Sequence, residues 1–104
     1  MAKKLSWPEI LGFDWDKGNL HKNRLKHAVE PTECEDIFYN EPVFFYDQTH
    51  SLQEERYVAY GNTNERRMLT IVFTIRNSKI RIISARDQNK KETATYKKGI
   101  REPK

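Results

Sequence analysis

The residues best equipped for chemistry are the arginines Arg56, Arg76, Arg81 and Arg86, with Lys26, His27, Glu92 and Tyr96. A guanidinium presents a planar fork of donors that matches two oxygens of one phosphate. Arg76 and Arg86 are the leading phosphate clamps, with Arg81 and Arg56 behind them. Each also reads as a surface cation at a strand end, and Arg56 has Glu54 and Glu55 at hand for an exposed ion pair worth under ~1 kcal/mol. An imidazole has an unperturbed pKa of about 6.5, near neutrality, so the residue type at His27 suits a general acid or base. It equally suits the C-terminus of a helix, where positive charge is favoured. Lys26 beside it could hold phosphate. Glu92 suits a base or a helix cap, and Tyr96 suits base stacking or packing of a helix on a sheet.

The chain has 104 residues, enough for one domain, and 37% of them are hydrophobic against 33% charged, which allows one modest core under a well-solvated surface. Its formal charge of +4 is unevenly spread. Residues 1–63 hold 7 Lys/Arg against 11 Asp/Glu, and residues 64–104 hold 12 against 4. A basic half of this density is the footprint of a polyanion binder, or else a solubilising surface. No apolar run approaches the roughly 20 residues that cross a bilayer. Trp7-Pro8-Glu9 interrupts what would be a signal peptide. The single cysteine, Cys34, allows neither a disulfide framework nor a CxxC metal site, so a reducing cytoplasm is expected. Cys34 precedes Ile37 and Phe38 at helical spacing and reads as a small core hydrophobe. A metal centre is not expected: His21 and His27 fall on different faces of a helix, His50 lies in a turn, and no carboxylates stand beside them at ligand spacing.

The elements that must position these side chains follow from local pattern. Residues 1–12 read as a leader and 13–104 as the domain. Phe13-Asp14-Trp15 reads as a short strand, Asp16 as an N-cap, and 17–28 as a polar helix. Pro31 starts a second helix that carries Cys34, Ile37 and Phe38 and ends at Asn40-Glu41-Pro42. Four antiparallel strands follow: Val43–Tyr46, Arg56–Tyr60, Met68–Arg76 and Ile80–Arg86. Asn77-Ser78 makes a two-residue hairpin turn, which sets Arg76 opposite Lys79, Thr74 opposite Arg81 and Phe73 opposite Ile82. That register puts Leu69, Ile71, Phe73, Ile75, Ile80, Ile82, Ser84 and Arg86 on the core face. Val72, Thr74, Arg76, Lys79, Arg81 and Ile83 share the other. Asn89-Lys90-Lys91-Glu92 has the form of a capping box opening a last helix, with Gly99 just past its end. The expected fold is α+β, a single antiparallel sheet with the helices packed on one face.

In this order and spacing the chain resembles the BrnT toxin family. The resemblance rests on Phe13-x-Trp15-Asp16 with Asn23 and Lys26-His27 following, and on the acidic helix ending in Ile37-Phe38. It continues through Glu55-Arg56 leading to Gly61, through Arg76 and Arg81-Ile82-Ile83-Ser84-Ala85-Arg86, and through Glu92 and Tyr96. The chain departs from the family pattern at Asn19 (usually Lys), Ala28 (usually Gly), Asp87 and Gln88. The resemblance implies a RelE-like fold, RNA cleavage without a metal or other cofactor, and inhibition by a cognate BrnA-like antitoxin. It also implies that DNA is bound only through the antitoxin.

Metal-free RNA cleavage uses the substrate's 2′-OH as nucleophile. The protein must take its proton, neutralise the pentavalent phosphorane and protonate the leaving 5′-oxygen. Arg76, Arg86, His27 and Glu92 are then the catalytic candidates, and Lys26, Arg56, Arg81 and Tyr96 the substrate-binding ones. Since Arg76 and Arg86 fall at opposite ends of the hairpin, two phosphate subsites are expected rather than one clamp. The alternative is a non-catalytic basic module that binds nucleic acid or a protein partner.

Overall fold

The computed structural model describes residues 12–15, 27–47 and 54–101. Five strands form one sheet: β1 (Gly12–Phe13), β2 (Val43–Tyr46), β3 (Tyr57–Asn62), β4 (Met68–Arg76) and β5 (Lys79–Asp87), in the order β1-β5-β4-β3-β2. Two helices, α1 (Pro31–Tyr39) and α2 (Lys90–Arg101), complete the described elements. β2 through β5 form an antiparallel meander, and β1 joins the far edge in parallel to β5. β2 and β4 have the expected bounds, because their apolar runs end at strong turn residues. β5 extends one residue past expectation at each end; β3 begins one residue later than expected, leaving Arg56 just before it, and runs two further to Asn62; β1 takes in Gly12 from the expected leader but stops at Phe13, short of Asp14 and Trp15. The rest of that leader, Asp16 and most of the helix expected over 17–28 lie outside the described residues; His27 is helical and Ala28 follows it with φ +51°.

α1 begins as expected, with Pro31 at its first position and the Glu30 backbone N–H donating to Glu33 Oε1 at 3.0 Å. Its inner side brings Cys34 and Ile37, both fully buried, onto Leu69, Ile71, Phe73, Ile82 and Ala85. Each large side chain so buried contributes roughly 1.5–3 kcal/mol. Phe38 meets Phe73 edge-on with ring centroids 5.0 Å apart, and Trp15 Nε1 donates to Glu35 Oε2 at 2.9 Å, tying the segment after β1 to α1.

The hairpin register matches expectation from Arg76 opposite Lys79 to Phe73 opposite Ile82. It then shifts between Val72 and Phe73: Val72 faces Ser84, and Ile83 has no partner. This β-bulge inverts every side chain beyond it. Ala85 therefore enters the α1 core, and Arg86 lies opposite Thr70 on the face that also carries Arg81 and Arg76. The expectation that Arg86 shares the core face is corrected by this one extra residue.

The helices also divide between the two faces. A Cβ on Gly61, opposite Leu69, would stand 2.5 Å from Ile37 of α1. A Cβ on Gly99 would stand 2.7 Å from Val43, whose partner Tyr60 lies on the opposite face from Gly61. So α1 covers one face and α2 the end of the other, a correction to the one-face arrangement. Gln88 guides the crossing: its Nε2 donates to Leu69 O at 3.0 Å and to Gly61 O at 3.3 Å, and its Oε1 accepts from Thr93 Oγ1 at 3.0 Å. Gly99 does not end the helix, which runs on to Arg101. The glycine is there for close approach to β2.

Candidate active site

Arg86 and Glu92 form the tightest polar arrangement near the end of β5. Arg86 Nη1 and Nη2 donate to Glu92 Oε1 and Oε2, both at 2.7 Å. The Glu92 side chain is only 13% exposed and that of Arg86 40%. The expected capping box is present and fixes the pair: Glu92 N donates to Asn89 Oδ1 at 2.8 Å, and Asn89 N to Glu92 Oε1 at 2.9 Å. Glu92 thus caps the helix and grips Arg86 at once. The hydrogen bond from Arg86 holds the Glu92 carboxyl below the usual carboxylate range, and the same bond raises the arginine. At neutral pH the pair is ionised, and the carboxylate is a weak base.

A cleft of about 320 Å³ opens beside this pair, lined by Tyr60, Asn89, Lys91, Glu92 and Thr95. Burial raises the Tyr60 phenol, with the Glu92 charge adding to the effect and Arg86 opposing it. Tyr60 is opposite Thr70, which is opposite Arg86, so the three form a row across the sheet. Of the two readings of Tyr96, base stacking and packing of a helix on a sheet, its 5% exposure beside Asn62 favours packing.

The opposite end of the hairpin gathers the other arginines. Arg76 Nε donates to Glu54 Oε2 at 2.6 Å and its Nη2 to Glu54 Oε1 at 3.1 Å. Arg76 first, and then Arg56 and Arg81, hold the Glu54 carboxyl below its usual range. Arg81 also stands 3.7 Å from Asp14. Six residue steps along β4 separate Thr70, opposite Arg86, from Arg76, about 20 Å at 3.3 Å per residue. The sheet therefore presents two arginine–glutamate sites on one face.

His27 lies at the Arg86 end but is tied to the other side of the sheet. Its carbonyl accepts from Arg67 Nη2 at 3.0 Å, and the Ala28 carbonyl from Arg67 Nη1 at 2.9 Å. The same guanidinium binds Asp87 at 2.7 Å and Glu33 at 3.2 Å. One arginine thereby joins the segment at 27–28, the start of α1 and the end of β5. Arg67 and Tyr60 were not singled out from sequence. Only the register and the bulge show what each faces. Lys26 lies outside the described residues. Among the described residues no group of three or more His, Cys, Asp or Glu side chains stands together as a metal site.

No curated protein matches the chain. Among solved structures, the crystal structure of the Brucella abortus ribonuclease toxin BrnT is similar, with a TM-score of 0.56 at 20% identity, covering 76% of this chain and 97% of that one. That likeness concerns the fold. The family model described as "Ribonuclease toxin, BrnT, of type II toxin-antitoxin system" matches residues 15–92, a span that reaches from Trp15 through both arginine sites to Glu92. The chain belongs to the BrnT family of ribonuclease toxins of type II toxin–antitoxin systems.

Proposed function

We propose that this toxin cleaves RNA without a metal ion or other cofactor, at a site centred on Arg86 and Glu92, and that Arg76, Arg81 and Arg56 hold a second phosphate along the strand. The observation that carries the reading is the bidentate Arg86–Glu92 pair beside a cleft, on the same sheet face as the other arginines. In such a site the guanidinium stabilises the charge that develops on the phosphorane oxygens, because it is fixed before the reaction begins. The 2′-oxygen attacks phosphorus, its proton passes to a base, and the bond to the 5′-oxygen breaks as that oxygen is protonated. His27, whose backbone Arg67 holds on the other side of the sheet from Arg86, is the proposed proton carrier provided that the RNA passes round the end of β5, and Lys26, its neighbour in sequence, is proposed to hold phosphate. Glu92 is held ionised by Arg86 and acts first as its anchor.

The inhibitor is a BrnA-like antitoxin with an acidic or amphipathic segment that covers the cationic face, and the cytoplasm is the site of action. DNA enters only through the antitoxin. Cleavage of a structured RNA in excess EDTA tests the chemistry. Undiminished cleavage is expected, and complete loss would overturn the metal-free mechanism. Adding the purified antitoxin should then stop cleavage. A stable complex that still cuts RNA would refute occlusion of the site.

A further inference from the structure

Arg86 and Glu92 account for a phosphate but not for the cleft beside them. Its lining includes one aromatic ring, Tyr60, with Asn89, Lys91, Glu92 and Thr95 around it. Phe45 packs against Tyr60 with ring centroids 5.1 Å apart, so the tyrosine is backed on one side by the edge of the sheet. Tyr60 is half-buried, and Glu92 and Arg86 both act on its phenol. The volume, about 320 Å³, is at the lower end of small-ligand pockets. A pocket with one supported ring and polar walls, one of them the Glu92 that Arg86 grips, suits a flat heterocycle attached to a phosphate.

We propose that the Tyr60 cleft is a nucleobase subsite, in which an unstacked base of the RNA lies on the Tyr60 ring while the adjoining phosphate meets Arg86. This rests on the ribonuclease reading of the Arg86–Glu92 site and names what that site holds next to the scissile bond. Single-stranded RNA is the substrate class, since only an unpaired base can leave its stack to lie on a protein ring. Stacking accepts any base, so the subsite enforces strandedness more than sequence. Tyr60 is a positioning residue here: the ring holds the base, and the base sets the phosphate against Arg86.

The test uses the wild-type toxin and two short single-stranded RNAs of one sequence, one intact and one with a single abasic nucleotide at the cleavage position. The abasic RNA is expected to be cut with a KM raised roughly 5- to 150-fold, the range set by stacking of one base on an aromatic ring. Tyr60→Phe keeps the ring and should retain that discrimination. Tyr60→Leu should lose it, cutting both RNAs alike at the poor rate of the abasic one, with its circular dichroism spectrum confirming that it folds. If the wild-type enzyme cuts both RNAs equally well, the subsite does not exist, and this result needs no variant. If the wild-type enzyme cuts neither, the ribonuclease reading of the site fails instead.

Discussion

The two ends of the β4–β5 hairpin carry the same pair of side chains, an arginine and a glutamate in bidentate contact, and build different things from it. At the turn end, Arg76 meets Glu54 across 22 residues, with the two side chains 49% and 33% exposed. At the far end, Arg86 meets Glu92 across six residues, and the glutamate is 13% exposed and already committed to the helix cap. The first pair is held by Coulomb attraction in solvent, where the net gain is small. The second is held by a bulge that turns Arg86 to the α2 face and by a cap that fixes the carboxylate. Cation count does not separate a site from a surface, whereas the number of independent constraints on the cation does.

The largest effect that would break this comparison is catalytic. Arg86→Ala should lower cleavage by roughly 10²-fold or more, the usual loss when a fixed donor to developing charge is removed. Arg76→Ala should cost less than about tenfold, expressed in KM, and Lys98→Ala, a basic control away from both ends, less still. Rates of purified variants on one RNA in EDTA check this, and full activity in both arginine variants would refute the two-subsite arrangement.

Next in size is a loss of stability. Arg67→Ala removes the guanidinium shared by Asp87, Glu33 and the carbonyls of His27 and Ala28. Loss of hydrogen bonds to charged groups on this scale costs about 2 kcal/mol, which lowers the melting temperature by roughly 10 °C. A thermal melt decides it, and an unchanged midpoint would show that this cross-link is not needed to hold 27–28 to the sheet.

Acid sharpens the contrast between the two glutamates. The Glu92 carboxyl lies below its ordinary 4.5 in the folded protein because Arg86 donates to it. On acidification the unfolded chain takes up this proton first. The stabilisation is therefore fully present above about pH 4.5 and is lost as pH falls below that through the folded value. Glu92→Gln should flatten the fall in melting temperature over that range. Glu54→Gln should flatten it less, since Glu54 is exposed to solvent screening. Equal effects would mean that enclosure does not distinguish the pairs.

The smallest effect concerns the backbone that carries His27. Ala28 sits at φ +51°, a left-handed conformation that an L side chain resists and glycine does not. Ala28→Gly should stabilise the protein by about 0.5 kcal/mol, as relief of strain exceeds the added chain entropy. A small rise in urea midpoint with unchanged cleavage is expected.

What the sequence reveals of this molecule depends on whether a feature is written locally. The strands Val43–Tyr46 and Met68–Arg76, the Pro31 helix start and the Asn89–Glu92 cap are legible because pattern, turn and cap residues lie within a few positions of one another. The hairpin register is legible outward from Asn77-Ser78 as far as Phe73 and Ile82, and no further. Ile83 looks like any β-branched strand residue, yet it is the one left unpaired, and with it go the face of Arg86 and the side on which α2 packs. Tyr60 and Arg67 are illegible for the same reason. Their neighbours, Glu92 and Arg86 for one, Asp87 and Glu33 for the other, are distant in the chain and are brought there by the sheet. Gly99 carries the residue type of a helix stop but serves helix-to-strand contact, a distinction that only Val43 decides.

The single thiol at Cys34 is sealed between α1 and the sheet, and burial, with the neighbouring Glu33 and Glu35, pushes its pKa up to about 12. A thiolate-seeking reagent can reach it only when α1 lifts off. The protein thus carries its own clock of opening: the rate at which a thiol reagent labels the native chain counts how often the core parts. Bound RNA or antitoxin that favours the closed form would slow that clock without touching the sulfur.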